Sequence, residues 1–466
     1  MIFRACATVH WSTLKHALLT VLIFSTMNIN TGHFTLQCSF EPTKEGTAER
    51  LDFASKMYVP LYRIKQIGKF MRLTFAFFIS IVLSVPAMAQ DIVLKTKLAL
   101  DGQGNAIREA VIVVHDGKIT SIQPNGRVPS GAREVDLTRF TVMPGMIDMH
   151  VHIAAHFDET SGERPSITAF WAADNARKYL ESGFTTLRSL GASNLVDIDL
   201  RNAINAGLIP GPRLFVSGEP LNESAIKVTD GEAPMREYVR KQVAANVDVI
   251  KIFGSLSSRA GGGPTYSLEQ MKAAVDEAHK AGKPVAVHAH AAEAVRRAIL
   301  AGADTIEHGA LMDDATIDLL VQKRVVYVPN LYLAEYYLAN GRKFHFNEEQ
   351  LRYTRDFMKP RAEAFSKAVK KGARIVFGTD AVTGMAGHTA PEFERRVALG
   401  MSTKQAIVHT TSTPAGVLGM ADKFGDLKPG MFADIIAVEG NPLDDIKALG
   451  RVIFVMKEGK IIKSAQ

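Results

Sequence analysis

The stretch that decides the fold is Pro284-Val-Ala-Val-His-Ala-His-Ala-Ala-Glu-Ala-Val-Arg-Arg-Ala-Ile-Leu-Ala-Gly-Ala-Asp-Thr-Ile-Glu-His308. The apolar run Pro284–His290 predicts a buried strand, the amphipathic segment Ala291–Ala301 predicts a helix, and Gly302 follows as a C-terminal cap would. A second strand is predicted over Thr305–His308. The stretch is therefore one strand–helix–strand unit, with a histidine at the end of each strand.

The same alternation of strands and helices extends over residues 143–415. Helices are predicted between the strands, for example over Ile167–Ser182, Ser267–Ala281 and Arg361–Lys371, each followed by a glycine. The predicted strands are Val142–His152, Thr185–Leu190, Arg213–Ser217, Val247–Phe253, Pro284–His290, Thr305–His308, Val325–Pro329 and Arg374–Thr379. Eight such units predict an α/β fold, a (β/α)8 TIM barrel. A doubly wound open sheet is the alternative, but no glycine-rich phosphate loop follows the first strand.

The segments on both sides of this region consist of short strands and tight turns. Val111–Asp116, Gly117 and Lys118–Ile122 predict a hairpin around Asp116-Gly117. Residues 416–466 contain similar strand pairs. We expect residues 90–142 and 416–466 to form one small β-sandwich domain from both ends of the mature chain, beside a hydrolase barrel over residues 143–415.

The pattern over residues 71–89 predicts a secretory signal peptide. Leu73–Met88 is an almost unbroken apolar run, shorter than the roughly 20 residues of a membrane-spanning helix, and Ala87-Met-Ala89 fits the rule for cleavage. The mature protein would begin at Gln90 and be periplasmic or secreted, with no stable membrane anchor. We expect translation to start at Met71 and residues 1–70 to be a non-native or unstructured extension. The alternative is a genuine extension with an uncleaved anchor.

Composition excludes several functions. The 466-residue chain has 47% hydrophobic and 22% charged residues and a net charge of +7, which is typical of a globular protein. No Lys/Arg block that would follow a phosphate backbone is present, so nucleic acid is not an expected partner. Both cysteines, Cys6 and Cys38, precede Gln90. A metal site in the mature protein must therefore be built from histidines, carboxylates or a rarer kind of ligand.

Candidate metal ligands stand at or near the carboxyl ends of the predicted barrel strands. They are His150, His152, Lys251, His288, His308 and Asp380. These ends converge on one face of a barrel, and His150 and His152, two residues apart on a strand, point the same way. Imidazole and carboxylate ligands suit zinc, and suit manganese, iron or cobalt less well. A serine hydrolase is disfavoured because no Gly-x-Ser-x-Gly turn is found.

Lys251 lies within the apolar strand Val247–Phe253. Burial disfavours a lysine ammonium, so its pKa should fall. A neutral lysine amine can add carbon dioxide and become a carbamate, an anion able to bridge two metals. The alternative is a buried lysine paired with a carboxylate.

These motifs together resemble those of the amidohydrolase superfamily, and most closely its imidazolonepropionase-like branch. That branch includes two-metal dipeptidases acting on Xaa-Pro and Xaa-Arg/Lys, and a related ochratoxin amidase. The likeness spans nearly all of residues 91–466. It is carried by Pro144-Gly-Met-Ile-Asp-Met-His-Val-His152, Ile250-Lys251, Val287-His288, Ile306-Glu-His308-Gly309 and Gly378-Thr-Asp380.

The resemblance implies roles for the candidate ligands. His150, His152 and Asp380 would hold the more buried of two divalent ions, zinc by expectation, and His288 and His308 would hold the other. Carbamylated Lys251 and a hydroxide would bridge them, and Asp380 would pass a proton to the leaving amine.

The implied activity is hydrolysis of an amide or peptide bond in a small-molecule substrate, a dipeptide or N-acyl amino acid. Hydrolysis of a cyclic amide, lactone or ester at the same site is the alternative. Deaminases of the superfamily usually keep one metal and lack the bridging lysine. The complete ligand set argues against a binding module on an inactive barrel. The sequence is compatible with a homo-oligomer.

Three residues are predicted to contact substrate. Tyr266, in the loop after the fourth strand, is placed like a tyrosine of the dipeptidases, and its hydroxyl is expected to bind a substrate carboxylate. His290 shares a face with His288, and His388 lies in the loop after the eighth strand. Ser217–Ser224 lacks the Gly-Gly-His stretch common in the dipeptidases, so the resemblance does not by itself fix dipeptidase specificity.

For Arg188 and for residues 331–360, the sequence allows both a structural and a functional interpretation. Arg188 is expected to form a structural ion pair rather than to bind a substrate carboxylate. The aromatic-rich residues 331–360 form either a lid over the site or an ordinary helix–loop–helix.

Overall fold

The computed structural model describes residues 90–156 and 164–464, together with the strands Ile2–Trp11 (β1), Leu19–Asn28 (β2) and His33–Pro42 (β3). These three strands form an antiparallel sheet in the order β1-β2-β3 within a unit of their own, residues 1–88. The predicted signal peptide, residues 71–89, lies outside the described residues. Within the described part of the chain, no helix has both the length and the apolar character that crossing a bilayer requires.

The second unit, residues 89–466, contains the remaining strands. The first five are Ile92–Leu100 (β4), Ala106–His115 (β5), Lys118–Pro124 (β6), Arg133–Asp136 (β7) and Thr141–Pro144 (β8). Barrel strands follow as Met146–Val151 (β9), Phe184–Ser189 (β10), Arg213–Val216 (β11), Ile250–Phe253 (β12), Val285–Ala291 (β13), Thr305–Leu311 (β14) and Val326–Val328 (β15). The last three are Ile435–Val438 (β16), Val452–Lys457 (β17) and Lys460–Lys463 (β18).

Helices alternate with the barrel strands and continue after them. Those before β15 are Pro165–Glu181 (α1), Val196–Asn205 (α2), Ala233–Ala244 (α3), Leu268–Lys280 (α4), Ala292–Ala301 (α5) and Asp314–Gln322 (α6). Those after β15 are Leu333–Asn340 (α7), Glu348–Lys370 (α8), Pro391–Ala398 (α9), Thr403–Val408 (α10) and Ser412–Val417 (α11). Gly302 ends α5 in the left-handed region, with φ 95°, as predicted from the sequence.

Strands from both ends of this unit form one eight-stranded sheet, where a β-sandwich was predicted. Its order is β18-β17-β16-β8-β4-β5-β6, and β7 pairs with β4. The antiparallel pairing of β8 with β16 joins the two ends of the chain. Asp116 and Gly117, with φ 46° and 75°, form the turn between β5 and β6, which confirms the predicted hairpin.

The prediction of one strand over Val142–His152 is wrong, because this segment forms two strands. β8 belongs to the terminal sheet and β9 to the barrel, and Gly145 separates them. A Cβ at Gly145 would lie 2.2 Å from Thr185 Oγ1, so the chain passes between the two sheets where only glycine fits. Because both strands are buried, the apolar pattern of the sequence runs across Gly145 and does not show the boundary between them.

The barrel consists of two parallel sheets and one extended segment. The sheets have the orders β11-β10-β9 and β12-β13-β14-β15. Leu221, beyond β11, bridges to Ile252 in β12. The eighth predicted strand is an extended segment that hydrogen-bonds on both sides, from Val376 N to Tyr327 O (3.1 Å) and from Met149 N to Phe377 O (2.9 Å). These bonds bring the last barrel position beside the first.

The predicted helix Arg361–Lys371 begins earlier than expected. α8 starts at Glu348, where the side chain of Asn347 accepts a hydrogen bond from Gln350 N, and it contains Pro360. Proline usually interrupts a helix, which is why the sequence placed the start after it. The longer helix carries more residues to the carboxyl-end face of the barrel.

Candidate active site

The barrel brings all six predicted metal ligands to one cavity of about 180 Å³ at the carboxyl ends of its strands. Its lining includes His150, His152, Lys251, His288, His308 and Asp380. His150 is the residue before the last of β9, and Lys251, His288 and His308 lie on β12, β13 and β14. Residues up to 230 positions apart in the chain thus become neighbours, as the convergence of barrel strands requires.

Asp380 lies at the centre of this group. Its Oδ1 is 3.3 Å from His150 Nε2 and 3.1 Å from His152 Nε2, and its Oδ2 is 3.8 Å from His308 Nδ1. Asp380 Oδ2 also accepts a hydrogen bond of 2.9 Å from Asn330 Nδ2. One carboxylate therefore contacts histidines from the first and sixth barrel strands.

Hydrogen bonds determine which nitrogen of two histidines faces the cavity. His150 Nδ1 lies 2.8 Å from Glu307 Oε2, and His308 Nδ1 lies 3.1 Å from Asn330 Oδ1. Because both partners are acceptors, each Nδ1 carries the proton and each Nε2 presents its lone pair. Metal-binding histidines are usually oriented in this way.

A second group of imidazoles lies beside the first. The rings of His288 and His308 are 4.3 Å apart, and the ring of His290 is 4.6 Å from His288 and 4.8 Å from His308. One nitrogen from each lies within 4.8 Å of the others, and a similar cluster joins His150, His308 and Asp380. His290, predicted as a substrate contact, is thus close enough to bind the same ion or molecule as its neighbours.

Burial favours the neutral form of four histidines of the cavity. It lowers the pKa of His288 to about 3, with a smaller contribution from the Lys251 charge. Burial also lowers the pKa of His150, His290 and His308 well below the usual value. For Asp380, burial acts to raise the pKa, but His150, His152 and Lys251 outweigh it and hold the pKa low. At neutral pH the cavity therefore offers imidazole lone pairs and one carboxylate.

Lys251 is completely buried on β12. Its Nζ has no hydrogen-bond partner in the described ranges, so the alternative of a direct pairing with a carboxylate is not seen there. Burial lowers the pKa of Lys251 to about 8, although Glu307 and Asp380 act in the opposite direction. A substantial fraction of the amine is therefore neutral near physiological pH.

The unpaired nitrogens of this cavity fit divalent metal ions. No described residue is a hydrogen-bond partner for Lys251 Nζ, His290 Nδ1 or His308 Nε2. A buried polar group without a partner costs about 1–3 kcal/mol, and a metal ion would satisfy such lone pairs. Imidazole nitrogens with a carboxylate are a donor set that zinc and related ions prefer.

Comparison with known proteins identifies the family. The profile of the amidohydrolase family matches residues 141–462. The chain belongs to the amidohydrolase family. The predicted superfamily is therefore confirmed.

This amidohydrolase is 28% identical to ochratoxinase from Aspergillus niger over 415 residues, which span 78% of this chain and 85% of that protein. The crystal structure of A. niger ochratoxinase gives a TM-score of 0.71 at 26% identity and covers 81% of this chain and 96% of its own. A Xaa-Pro dipeptidase with methionine bound in its active site is 33% identical, with a TM-score of 0.73, and covers 80% of this chain and 99% of its own. These similarities confirm the barrel fold and make the chain a hydrolase acting on carbon–nitrogen bonds.

Two predicted substrate contacts of the amidohydrolase do not line the cavity. Tyr266 is completely buried and His388 is exposed, and neither belongs to the cavity wall. No described residue pairs with the Tyr266 hydroxyl, and burial raises its pKa. The position of Tyr266 in the motif did not reveal the direction of its side chain.

Other residues of the amidohydrolase site were not predicted from the sequence. Glu307 and Asn330 orient the histidines, and Arg259, Tyr337 and Arg361 line the cavity. The signal for Glu307 was its place one residue before His308. Arg188 forms the predicted structural pair, since its Nη2 lies 2.8 Å from Glu307 Oε1 in the barrel interior.

The aromatic-rich segment of the amidohydrolase has the second of the two expected forms. It is a helix–loop–helix, formed by α7 and the first turns of α8. It also contributes Leu333 and Tyr337 to the cavity wall. The segment thus covers one side of the site.

Proposed function

We propose that this amidohydrolase is a two-metal enzyme that cleaves the amide or peptide bond of dipeptides or N-acyl amino acids. The observation that carries the proposal is the convergence of imidazoles, one carboxylate and an unpaired buried lysine in a single cavity. The similarity to a Xaa-Pro dipeptidase supports a dipeptide or a related amide as substrate.

His150, His152 and Asp380 would hold one ion, and His288 and His308 the other. Zinc is the proposed metal because the donors are mainly imidazoles. Divalent ions bound here would polarise the scissile carbonyl and activate water as a nucleophile. Glu307 would keep His150 in the required orientation through its 2.8 Å contact with Nδ1.

Asp380 would move the proton during the reaction. Its low pKa keeps it ionised at neutral pH, so it can accept a proton from the attacking water and deliver it to the leaving amine. The hydrogen bond from Asn330 Nδ2 fixes its Oδ2. His290, buried beside His288, is proposed as a substrate contact.

We propose that Lys251 carries a carbamate. A bond would form between the neutral Nζ and the carbon of carbon dioxide, and the nitrogen would release one proton to solvent. The product is an anion in place of a cation, which is suited to bridge two metal ions. Protein loaded with isotopically labelled carbon dioxide should show a carbamate carbon signal by NMR, and a Lys251→Met variant should not. An identical spectrum from both proteins would contradict the carbamate.

A substrate panel tests the proposed activity. Zinc-loaded protein would be assayed against dipeptides, N-acyl amino acids, cyclic amides, lactones and esters, with Asp380→Asn as the inactive control. Turnover of linear amides by the wild type alone supports the proposal. Faster turnover of the ring substrates or esters would favour the alternative, and no turnover of any amide would contradict amide hydrolysis.

We also propose that the protein is exported, with a mature chain that begins at Gln90 and resides in the periplasm or outside the cell. The support is the sequence of residues 71–89 alone. N-terminal sequencing of protein recovered from the native host tests this. A mature start far upstream of Gln90 would contradict it.

A further inference from the structure

Arg361, on α8, is a buried guanidinium in the wall of the cavity. Its side chain belongs to a residue only 4% exposed, and it lines the same cavity as the candidate metal ligands. Its Nε and Nη1 have no hydrogen-bond partner among the described residues. Two donors of a buried cation therefore remain for a group that enters the cavity.

Two other buried arginines, in contrast, have carboxylate partners. Arg188 pairs with Glu307, and Arg396 Nε lies 2.8 Å from Glu392 Oε1. An unpaired buried charge is strongly unfavourable, so the contrast with Arg361 needs a reason. An anionic ligand that binds at Arg361 would supply it.

The two carboxylates that could neutralise the Arg361 charge, Glu392 and Asp380, already have other partners. Glu392 accepts hydrogen bonds from the backbone nitrogens of Leu331 (2.7 Å) and Tyr332 (2.8 Å) as well as pairing with Arg396. Asp380 faces His150 and His152. Both act on the Arg361 charge from a distance, but neither forms an ion pair with it among the described residues.

A second guanidinium strengthens the positive charge of this wall. Arg259 lines the cavity with Arg361. It stacks over Tyr337 and Phe346, with its central carbon 4.6 Å and 5.0 Å from the ring centres. The stacking holds the second cation in place at the side of the cavity.

Binding of a substrate carboxylate, the role predicted for Tyr266, also needs another residue. Tyr266 does not line the cavity. Arg361 offers donors suited to a carboxylate, since a guanidinium fork matches the two oxygens. His290, in contact with Phe357 one turn earlier on α8, lies on the same side.

We propose that Arg361 binds the free carboxylate of the amino acid that leaves when the amide bond is cleaved. The enzyme would then prefer dipeptides and N-acyl amino acids with a free carboxylate over their carboxamides. This inference rests on the proposed function, and it names the substrate class and the residue that selects it.

Binding measurements test the inference apart from turnover. The dissociation constants of N-acetyl-L-leucine and N-acetyl-L-leucinamide would be measured by calorimetry on the full chain treated with a chelator, which cannot hydrolyse them through metal ions. The wild type should bind the carboxylate on the order of 10- to 100-fold more tightly than the carboxamide. Arg361→Met should abolish this difference by weakening only the carboxylate, and Arg361→Lys should retain part of it.

Arg355→Met is the matched control, because Arg355 lies on the same helix with its side chain 53% exposed. It should behave like the wild type. Equal binding of the two ligands by the wild type, or a preference that survives in Arg361→Met, would overturn the inference. If Arg361→Met does not fold, the wild-type preference and the Arg361→Lys value decide. Amide turnover without a carboxylate preference would refute this inference alone, whereas a preference without turnover of any amide would refute the proposed function alone.

Discussion

Glu307 holds the imidazole of His150 through a buried contact of 2.8 Å between Oε2 and Nδ1, and both side chains are at most 1% exposed. The other oxygen of Glu307 accepts hydrogen bonds from Arg188 Nη2 (2.8 Å) and Thr305 Oγ1 (2.5 Å). The carboxylate is therefore fully paired, and it directs Nε2 of His150 towards Asp380.

Replacing Glu307 should weaken metal binding without removing a ligand. In Glu307→Gln, the amide interacts less strongly with His150 and leaves Arg188 without its charged partner. We expect zinc affinity to fall about 10- to 100-fold, measured by competition with a chromophoric chelator. Glu348→Gln is the control, since that side chain is 91% exposed. Equal affinities in all three proteins would show that Glu307 does not tune the site.

Asn330 connects His308 and Asp380 and should influence the pH dependence of activity. Its Oδ1 is 3.1 Å from His308 Nδ1 and its Nδ2 is 2.9 Å from Asp380 Oδ2. Asn330→Asp places a second carboxylate beside Asp380, which raises the pKa of the pair. The acidic limb of the kcat/KM profile should move to higher pH, and in Asn330→Ala it should move much less. An unchanged limb in Asn330→Asp would argue against Asp380 as the proton acceptor.

Protein without metal should lose stability in acid through His288. The pKa of His288 is about 3 in the folded state, whereas an unfolded histidine has a pKa of about 6.5. Above that value both states are neutral; below it the unfolded state takes up the proton first, so stability falls as pH decreases from about 6.5 towards 3. The loss is about 1.4 kcal/mol for each tenfold difference in proton affinity.

Urea unfolding of chelator-treated protein over this pH range measures the effect. His288→Phe should show a shallower decline than the wild type, because it lacks the titrating group. Parallel curves for the two proteins would contradict the role assigned to His288.

Arg396 should be important for stability rather than for substrate binding. It is paired with Glu392 and donates hydrogen bonds to the carbonyls of Pro329 and Val376. Breaking a buried pair of this kind costs about 3–5 kcal/mol, so Arg396→Met should reduce the free energy of unfolding by that amount. Arg395→Met breaks a pair whose arginine side chain is 42% exposed and should cost less than about 1 kcal/mol. Denaturant unfolding of both variants decides, and similar losses would contradict the distinction.

The barrel and its candidate ligands were predictable because local patterns encode them. Apolar runs marked the strands, and the ends of parallel strands meet on one face whatever the loops do. His150, His152, Lys251, His288 and His308 could therefore be grouped from the sequence. The break at Gly145 was hidden, since the strands on both sides are buried.

The orientation of side chains was not predictable. Glu307 pairs with His150 across 157 positions of the chain. Arg361 reaches the cavity from a helix that begins earlier than the sequence predicted. His308 and Asp380 have φ of 75° and 51°, a left-handed backbone that redirects their side chains and is uncommon for residues other than glycine. Tertiary packing determines these features, and no local pattern reports them.

Metal content tests the central claim most directly. Zinc-equilibrated, gel-filtered protein would be analysed by mass spectrometry for bound divalent ions, with Lys251→Met treated in parallel. The account predicts about two ions per chain in the wild type, the number a bridged two-metal site holds, and clearly fewer in Lys251→Met. One ion or none in the wild type, or equal content in both proteins, would contradict it.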